Sequence, residues 1–256
     1  MLPILIKIGP VTISTYGLLV ALGFLLALTW VVYDAKREGL NSEAIVDLSF
    51  YLALGGVIGA RIFYLFIAWD IYRTDILGIV KFWEGGLVFY GGLAGGVLVF
   101  VFFTRYKSLP FWETADIFAP GLALAQSVGR LGCLAAGCCY GLPSSLPWAI
   151  TFTNPDSLAS PLGVPLHPTQ LYAALSLFVL FVFLLFLKKR RAFAGQIFFT
   201  YTLLHGLIRF ILEYFRGDFR GAGPFSMLTS TQTFALLIII ISPVMMIFLY
   251  WNHRSG

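Results

Sequence analysis

Arg130 stands in Gly129-Arg130-Leu131-Gly132-Cys133-Leu134-Ala135-Ala136-Gly137-Cys138-Cys139-Tyr140-Gly141, a permanent cation within an apolar, glycine-rich run. Two more arginines share that setting: Arg61 closes Leu54-Gly55-Gly56-Val57-Ile58-Gly59-Ala60-Arg61, and Arg209 closes Leu204-His205-Gly206-Leu207-Ile208-Arg209. At the centre of a membrane helix an arginine costs roughly 2.5–3.5 kcal/mol on insertion scales, so each one calls for a partner or a function. Three such cations predict an anionic ligand. Phosphate suits them, because the planar guanidinium fork donates paired hydrogen bonds to its oxygens. The plainer reading of each is a carboxylate partner or a capped helix carbonyl. His205, Arg209 and Glu213 fall at i, i+4 and i+8, so they stack on one side of a helix. There Glu213 would neutralise or orient Arg209. His205 is open to two readings, a satisfied core histidine or an acid/base group.

The elements that must position these groups are membrane helices. The chain is 59% hydrophobic and 11% charged, with a mean hydropathy of +0.88; soluble domains carry about 25% charged residues. Apolar windows of about 20 residues predict an all-α, polytopic integral membrane protein with spans near 15–33, 46–68, 86–105, 114–136, 170–187, 195–215 and 232–250. Residues 1–256 read as one transmembrane domain, with an outer loop at about 137–169. The first span lacks a cleavage site and is followed by Asp34, Lys36, Arg37 and Glu38, so it reads as a retained span, not a secretion signal.

Basic residues set the orientation. Lys36, Arg37, Arg105, Lys107, Lys188, Lys189, Arg190, Arg191 and Arg254 map to one side, against Lys7, Arg73, Lys81, Arg216 and Arg220 on the other. The positive-inside rule then puts the N-terminus outside and the C-terminus in the cytoplasm. The net charge of +5 is accounted for by topology and anionic lipid, with no nucleic-acid footprint. Spans two, four and six run outward, and Arg61, Arg130 and Arg209 lie at one depth, ~22 Å from the inner edge at the helical rise. That is where an outer-leaflet phospholipid carries its phosphate.

Gly91 with Gly95, Gly92 with Gly96, and Gly55 with Gly59 form small-xxx-small pairs that let helices approach closely. Span three opens with Trp83-Glu84-Gly85-Gly86, and Tyr90 enters it from the outer side near the arginine level, as a belt aromatic or as a functional group. Loop 137–169 has no lysine or arginine but six prolines (143, 147, 155, 161, 165 and 168), and reads as an outer cap or lateral gate. His167 closes it just before Pro168 opens span five. Cys133, Cys138 and Cys139 lack a Cys-x-x-Cys pair, and zinc would need about four ligands, so neither a metal nor a thiol oxidoreductase is expected. An anion transporter is the other rival, but no internal symmetry supports it.

Gly129-Arg130-Leu131-Gly132 with Gly141, His167-Pro168-Thr169-Gln170-Leu171-Tyr172, and Arg209-Phe210-x-x-Glu213-x-x-Arg216 resemble the bacterial prolipoprotein diacylglyceryl transferases. Tyr16-Gly17-Leu18 and Gly85-Gly86 through Gly91-Gly92 extend the resemblance over most of the chain. It implies an enzyme of the bacterial cytoplasmic membrane, with its site towards the outer leaflet, that needs no cofactor. Such an enzyme transfers the diacylglyceryl group of phosphatidylglycerol to the lipobox cysteine of a prolipoprotein, engaging the signal peptide and membrane lipids as well. Carried over, the catalytic set is Arg130, Arg209, His205, Tyr90 and Glu213, and the substrate contacts are Arg130, Arg61, Tyr16, Gly141 and His167. The chain also departs from the family. Many relatives carry histidine at the position of Tyr90 and tyrosine at that of His205, which implies an acid/base pair exchanged between spans three and six. Cys133 and Cys138 stand where asparagine and glutamate are usual, and Ala173 replaces a common glutamate.

Overall fold

The computed structural model describes residues 2–8, 11–73, 78, 85–218 and 228–255. Lys81 and Arg220 of the charge count, and Trp83 and Glu84 of the span-three motif, lie outside the described residues. The helices are α1 (Thr15–Arg37), α2 (Ser42–Ile67), the single turn α3 (Trp69–Tyr72), α4 (Phe89–Tyr106), α5 (Phe111–Ala136), α6 (Thr169–Lys188), α7 (Gln196–Glu213) and α8 (Ser230–Ser255). The seven long ones fall on the seven predicted segments. Six are long and apolar enough to cross a membrane, so the chain is a polytopic membrane protein. The exception is α7, whose sequence includes Gln196, Thr200, Thr202, His205, Arg209 and Glu213. Two short antiparallel pairs add to the all-α expectation: β1 (Ile4–Ile8) with β2 (Val11–Ser14), and β3 (Ile150–Thr151) with β4 (Pro165–Leu166). Two-residue strands are too short to show a period in sequence.

The chain divides into two compact units, residues 31–114 and residues 1–30 with 115–256. In the first, Asn41 caps α2 by accepting from the Glu43 and Ala44 amides at 3.0 and 3.1 Å. Helices α2 and α4 meet along their glycines. A Cβ added at Gly59 would strike the Gly91 carbonyl, and one at Gly95 the Gly55 carbonyl, so the Gly55–Gly59 and Gly91–Gly95 pairs form the packing seam, whereas a Cβ at Gly96 would meet open space.

In the second unit α7 packs between α6 and α8, over a core that includes Ala119, Ala123, Leu177, Leu184, Ile197 and Tyr201. The start of α7 is held from α5. Asp116 is fully buried; its carboxylate accepts from the Gly195 and Phe198 amides, both at 2.8 Å, and lies 3.6 Å from Arg191. It thus caps α7 from 79 residues away in sequence. Asp116→Asn keeps one acceptor and loses the charge, and is expected to cost about 1–2 kcal/mol, read as a lower unfolding midpoint in detergent.

The predicted outer loop is folded. Phe152, Ala159 and Leu166 form a small core of their own. The loop docks on the end of α7 through its main chain, where Leu142 N donates to the Phe215 carbonyl at 2.9 Å and Gly217 N to the Tyr140 carbonyl at 3.0 Å, and through the His167 ring packed on Phe215.

Candidate active site

A small pocket opens among α5, α6, α7 and the start of the loop. Arg130, Arg209 and Arg216 line it together with His205, Cys139, Thr169, Ala173, Leu177, Ile208 and Leu212. The helical spacing of α7 delivers its members. Arg209 Nη2 pairs with Glu213 Oε2 at 2.8 Å, and Arg216 Nε lies 3.7 Å from the same oxygen. Glu213 Oε1 accepts from the Thr229 hydroxyl at 3.1 Å. Past the helix end, Arg216 forks onto Asp218 with Nε at 2.9 Å and Nη2 at 2.7 Å. Burial works against the Arg216 charge, but the Asp218 carboxylate outweighs it and holds the guanidinium above its ordinary pKa.

Arg130 differs from the other two. Among the described residues it forms no ion pair and no hydrogen bond, although it is only partly exposed. Three guanidiniums therefore share the two carboxylates of Glu213 and Asp218, and the pocket keeps a positive charge with a bidentate fork to offer. His205 lies one turn before Arg209 on the same wall, its ring 5.6 Å from that of Tyr201. The stripe of His205, Arg209 and Glu213 is thus assembled as the spacing predicts.

Gly141 and His167 sit beside this pocket, in the seam between loop and α7. Gly141 N donates to the His167 carbonyl at 3.0 Å, and a Cβ there would lie 2.6 Å from that oxygen and 2.7 Å from the Phe215 carbonyl. Only glycine fits, and its place is architectural. His167 Nδ1 lies 3.3 Å from the Tyr172 hydroxyl, which accepts from Trp148 Nε1 at 2.7 Å. Tyr16 crosses α5 at Gly132 and is 44% exposed. Arg61 and Tyr90 belong to the other unit. There Arg61 is buried, donating to the carbonyls of Gly78 at 2.6 Å, Gly85 at 2.8 Å and Gly86 at 3.3 Å, with the Tyr64 and Tyr72 rings beside it. Tyr90 is 40% exposed and packs its ring on Phe89.

Arg216 and Cys139 line the pocket without having been expected in it. Arg216 was visible as the residue three after Glu213 in the helical register. Cys139 had no periodic signal, because it follows the end of α5 in a left-handed turn with φ of 61°. The Thr169 hydroxyl holds the Cys139 carbonyl at 2.7 Å, and Gln170 Nε2 holds that of Cys138 at 2.8 Å.

A family profile described as "Prolipoprotein diacylglyceryl transferase" matches residues 3–248. The phosphatidylglycerol–prolipoprotein diacylglyceryl transferase of Clostridium tetani is 36% identical over 242 residues, covering 94% of this chain and 95% of the relative. Those of Trichormus variabilis and Listeria monocytogenes are 36% and 32% identical, covering 87% and 94% of this chain and 81% and 87% of their own lengths. With a profile and full-length relatives agreeing on the same reaction, the chain belongs to the prolipoprotein diacylglyceryl transferase family.

Proposed function

We infer that this protein moves the diacylglyceryl group of phosphatidylglycerol onto the lipobox cysteine thiol of a prolipoprotein, releasing glycerol phosphate. The observation that carries the reading is the pocket itself, in which Arg130 has no carboxylate of its own beside the buried Arg209–Glu213 pair. The substrate thiol loses its proton and its sulfur attacks the glyceryl carbon that bears the phosphate oxygen. The new bond is a thioether; the carbon–oxygen bond breaks and its electron pair stays on glycerol phosphate. Arg130 holds the headgroup phosphate, Arg209 meets the charge that develops on the leaving oxygen, and Glu213 fixes the angle of Arg209. Preorganised donors in a water-poor site are worth a few kcal/mol each in the transition state.

The substrate thiol has an ordinary pKa of about 8.5, so an acceptor for its proton speeds attack. His205 takes that role on the pocket wall, and Tyr90 is the second member of the acid/base pair that the resemblance implies. Arg61 is the further headgroup contact that the resemblance implies, while Tyr16, Gly141 and His167 shape the approach. All seven long helices span the bacterial cytoplasmic membrane as one transferase domain, with the N-terminus outside and the C-terminus in the cytoplasm. The pocket faces the outer leaflet beneath the loop at 137–169.

Purified protein given phosphatidylglycerol and a lipobox peptide is expected to yield a peptide heavier by one diacylglyceryl group by mass spectrometry. No adduct from folded protein would overturn the reading. His205→Phe is expected to slow transfer about 10²-fold, and the loss should shrink as pH rises and thiolate forms unaided. Full activity in His205→Phe would remove the base from this residue.

A further inference from the structure

Cys133, Cys138 and Cys139 have no part in the transfer step, yet the fold gathers them. Cys133 is buried in the last turn of α5. The chain then reverses, and pinning of the Cys138 and Cys139 carbonyls by Gln170 and Thr169 fixes the returning segment. None of the three is in a disulfide, and their sulfur atoms lie within 4.8 Å of one another. Metal–thiolate bonds of about 2.3 Å put the sulfurs of a trigonal site about 4 Å apart, which this cluster meets.

We propose that Cys133, Cys138 and Cys139 form a three-thiolate site for Cu(I). Zinc in a structural site asks for four protein ligands, and no fourth histidine, cysteine or carboxylate joins the group among the described residues. Soft thiolates select Cu(I), which accepts three of them in a plane. Binding breaks three S–H bonds and makes three Cu–S bonds. The protons go to solvent, and copper stays Cu(I), so no oxidant or reductant is needed. Because Cys139 also lines the arginine pocket, the ion's place is in that pocket's wall.

The test uses the full-length protein, reduced and in detergent, titrated with Cu(I) without oxygen against a colorimetric Cu(I) chelator. One equivalent withheld from the chelator is expected, with a copper K-edge spectrum showing three sulfur neighbours in the wild-type protein. Cys133→Ser, Cys138→Ser and Cys139→Ser should each weaken retention by at least about 10-fold. Loss of all copper to the chelator would overturn the proposal. So would retention that survives all three substitutions, or a count of one reactive thiol before reduction, which would mark a disulfide instead. Neither phospholipid nor peptide enters this experiment, so its outcome is independent of the transferase reading.

Discussion

Arg130→Ala is expected to reduce diacylglyceryl transfer by about 10³-fold, the upper range for losing one preorganised donor to a developing oxyanion. Stability should hardly change, because among the described residues the wild-type guanidinium has no carboxylate or hydrogen-bond acceptor to lose. That separation is the useful feature: thermal unfolding stays near wild type while initial rates, read by mass spectrometry of the peptide, collapse. Arg130→Lys restores the charge without the fork and should recover only part of the rate. An Arg130→Ala enzyme within ten-fold of wild type would move the phosphate elsewhere in the pocket, with Arg216 the next place to look.

Glu213→Ala should show the opposite pattern, losing stability and activity together. The side chain of Glu213 is 4% exposed and lies within 4 Å of both Arg209 and Arg216. Removing one member of a buried ion pair costs about 3–5 kcal/mol, because the partner charge is left uncompensated. For a chain of this size that is a fall in melting temperature on the order of 10 °C. The Thr229 hydroxyl loses its acceptor as well. Glu213→Gln keeps that acceptor and should recover part of the stability, but not the rate, since a neutral amide cannot hold Arg209 in place. A Glu213→Gln protein with wild-type transfer would reduce the carboxylate to a structural element.

What sequence could and could not show follows from the range of the interactions. Helical periodicity and apolar length located all seven long helices. The i, i+4 rule brought Arg209 to Glu213, and the want of a local partner singled out Arg130. The same logic could not choose for Arg61 between a ligand and a carbonyl, because its acceptors are glycine carbonyls 17 to 25 residues away, and main-chain acceptors leave no mark in a sequence. Asp116 was silent for a related reason. A capping carboxylate is readable when it precedes its helix, whereas this one acts on α7 from α5. The cysteines are close in sequence, but only the reversal after α5 turns their spacing into a cluster. The acid/base pair that the resemblance implies, Tyr90 and His205, falls in different units, and Tyr90→Phe beside His205→Phe tests it by kinetics.

Helix α7 is fastened at both ends to chain that is continuous with α5. Asp116 holds its first turn, and the Tyr140–Leu142 backbone holds the residues just beyond its last. Arg130 lies on the stretch between those two fastenings, and Arg209 lies on the helix they grip. The arrangement works as a calliper: the helix that carries Arg209 is gripped at both ends by the chain that carries Arg130. A gauge of this kind cannot adjust to what it measures. In the proposed reaction the donor lipid then brings its own phosphate into that opening, and the freedom needed to pass from one bond to the next belongs to the substrates' flexible glycerol and peptide arms.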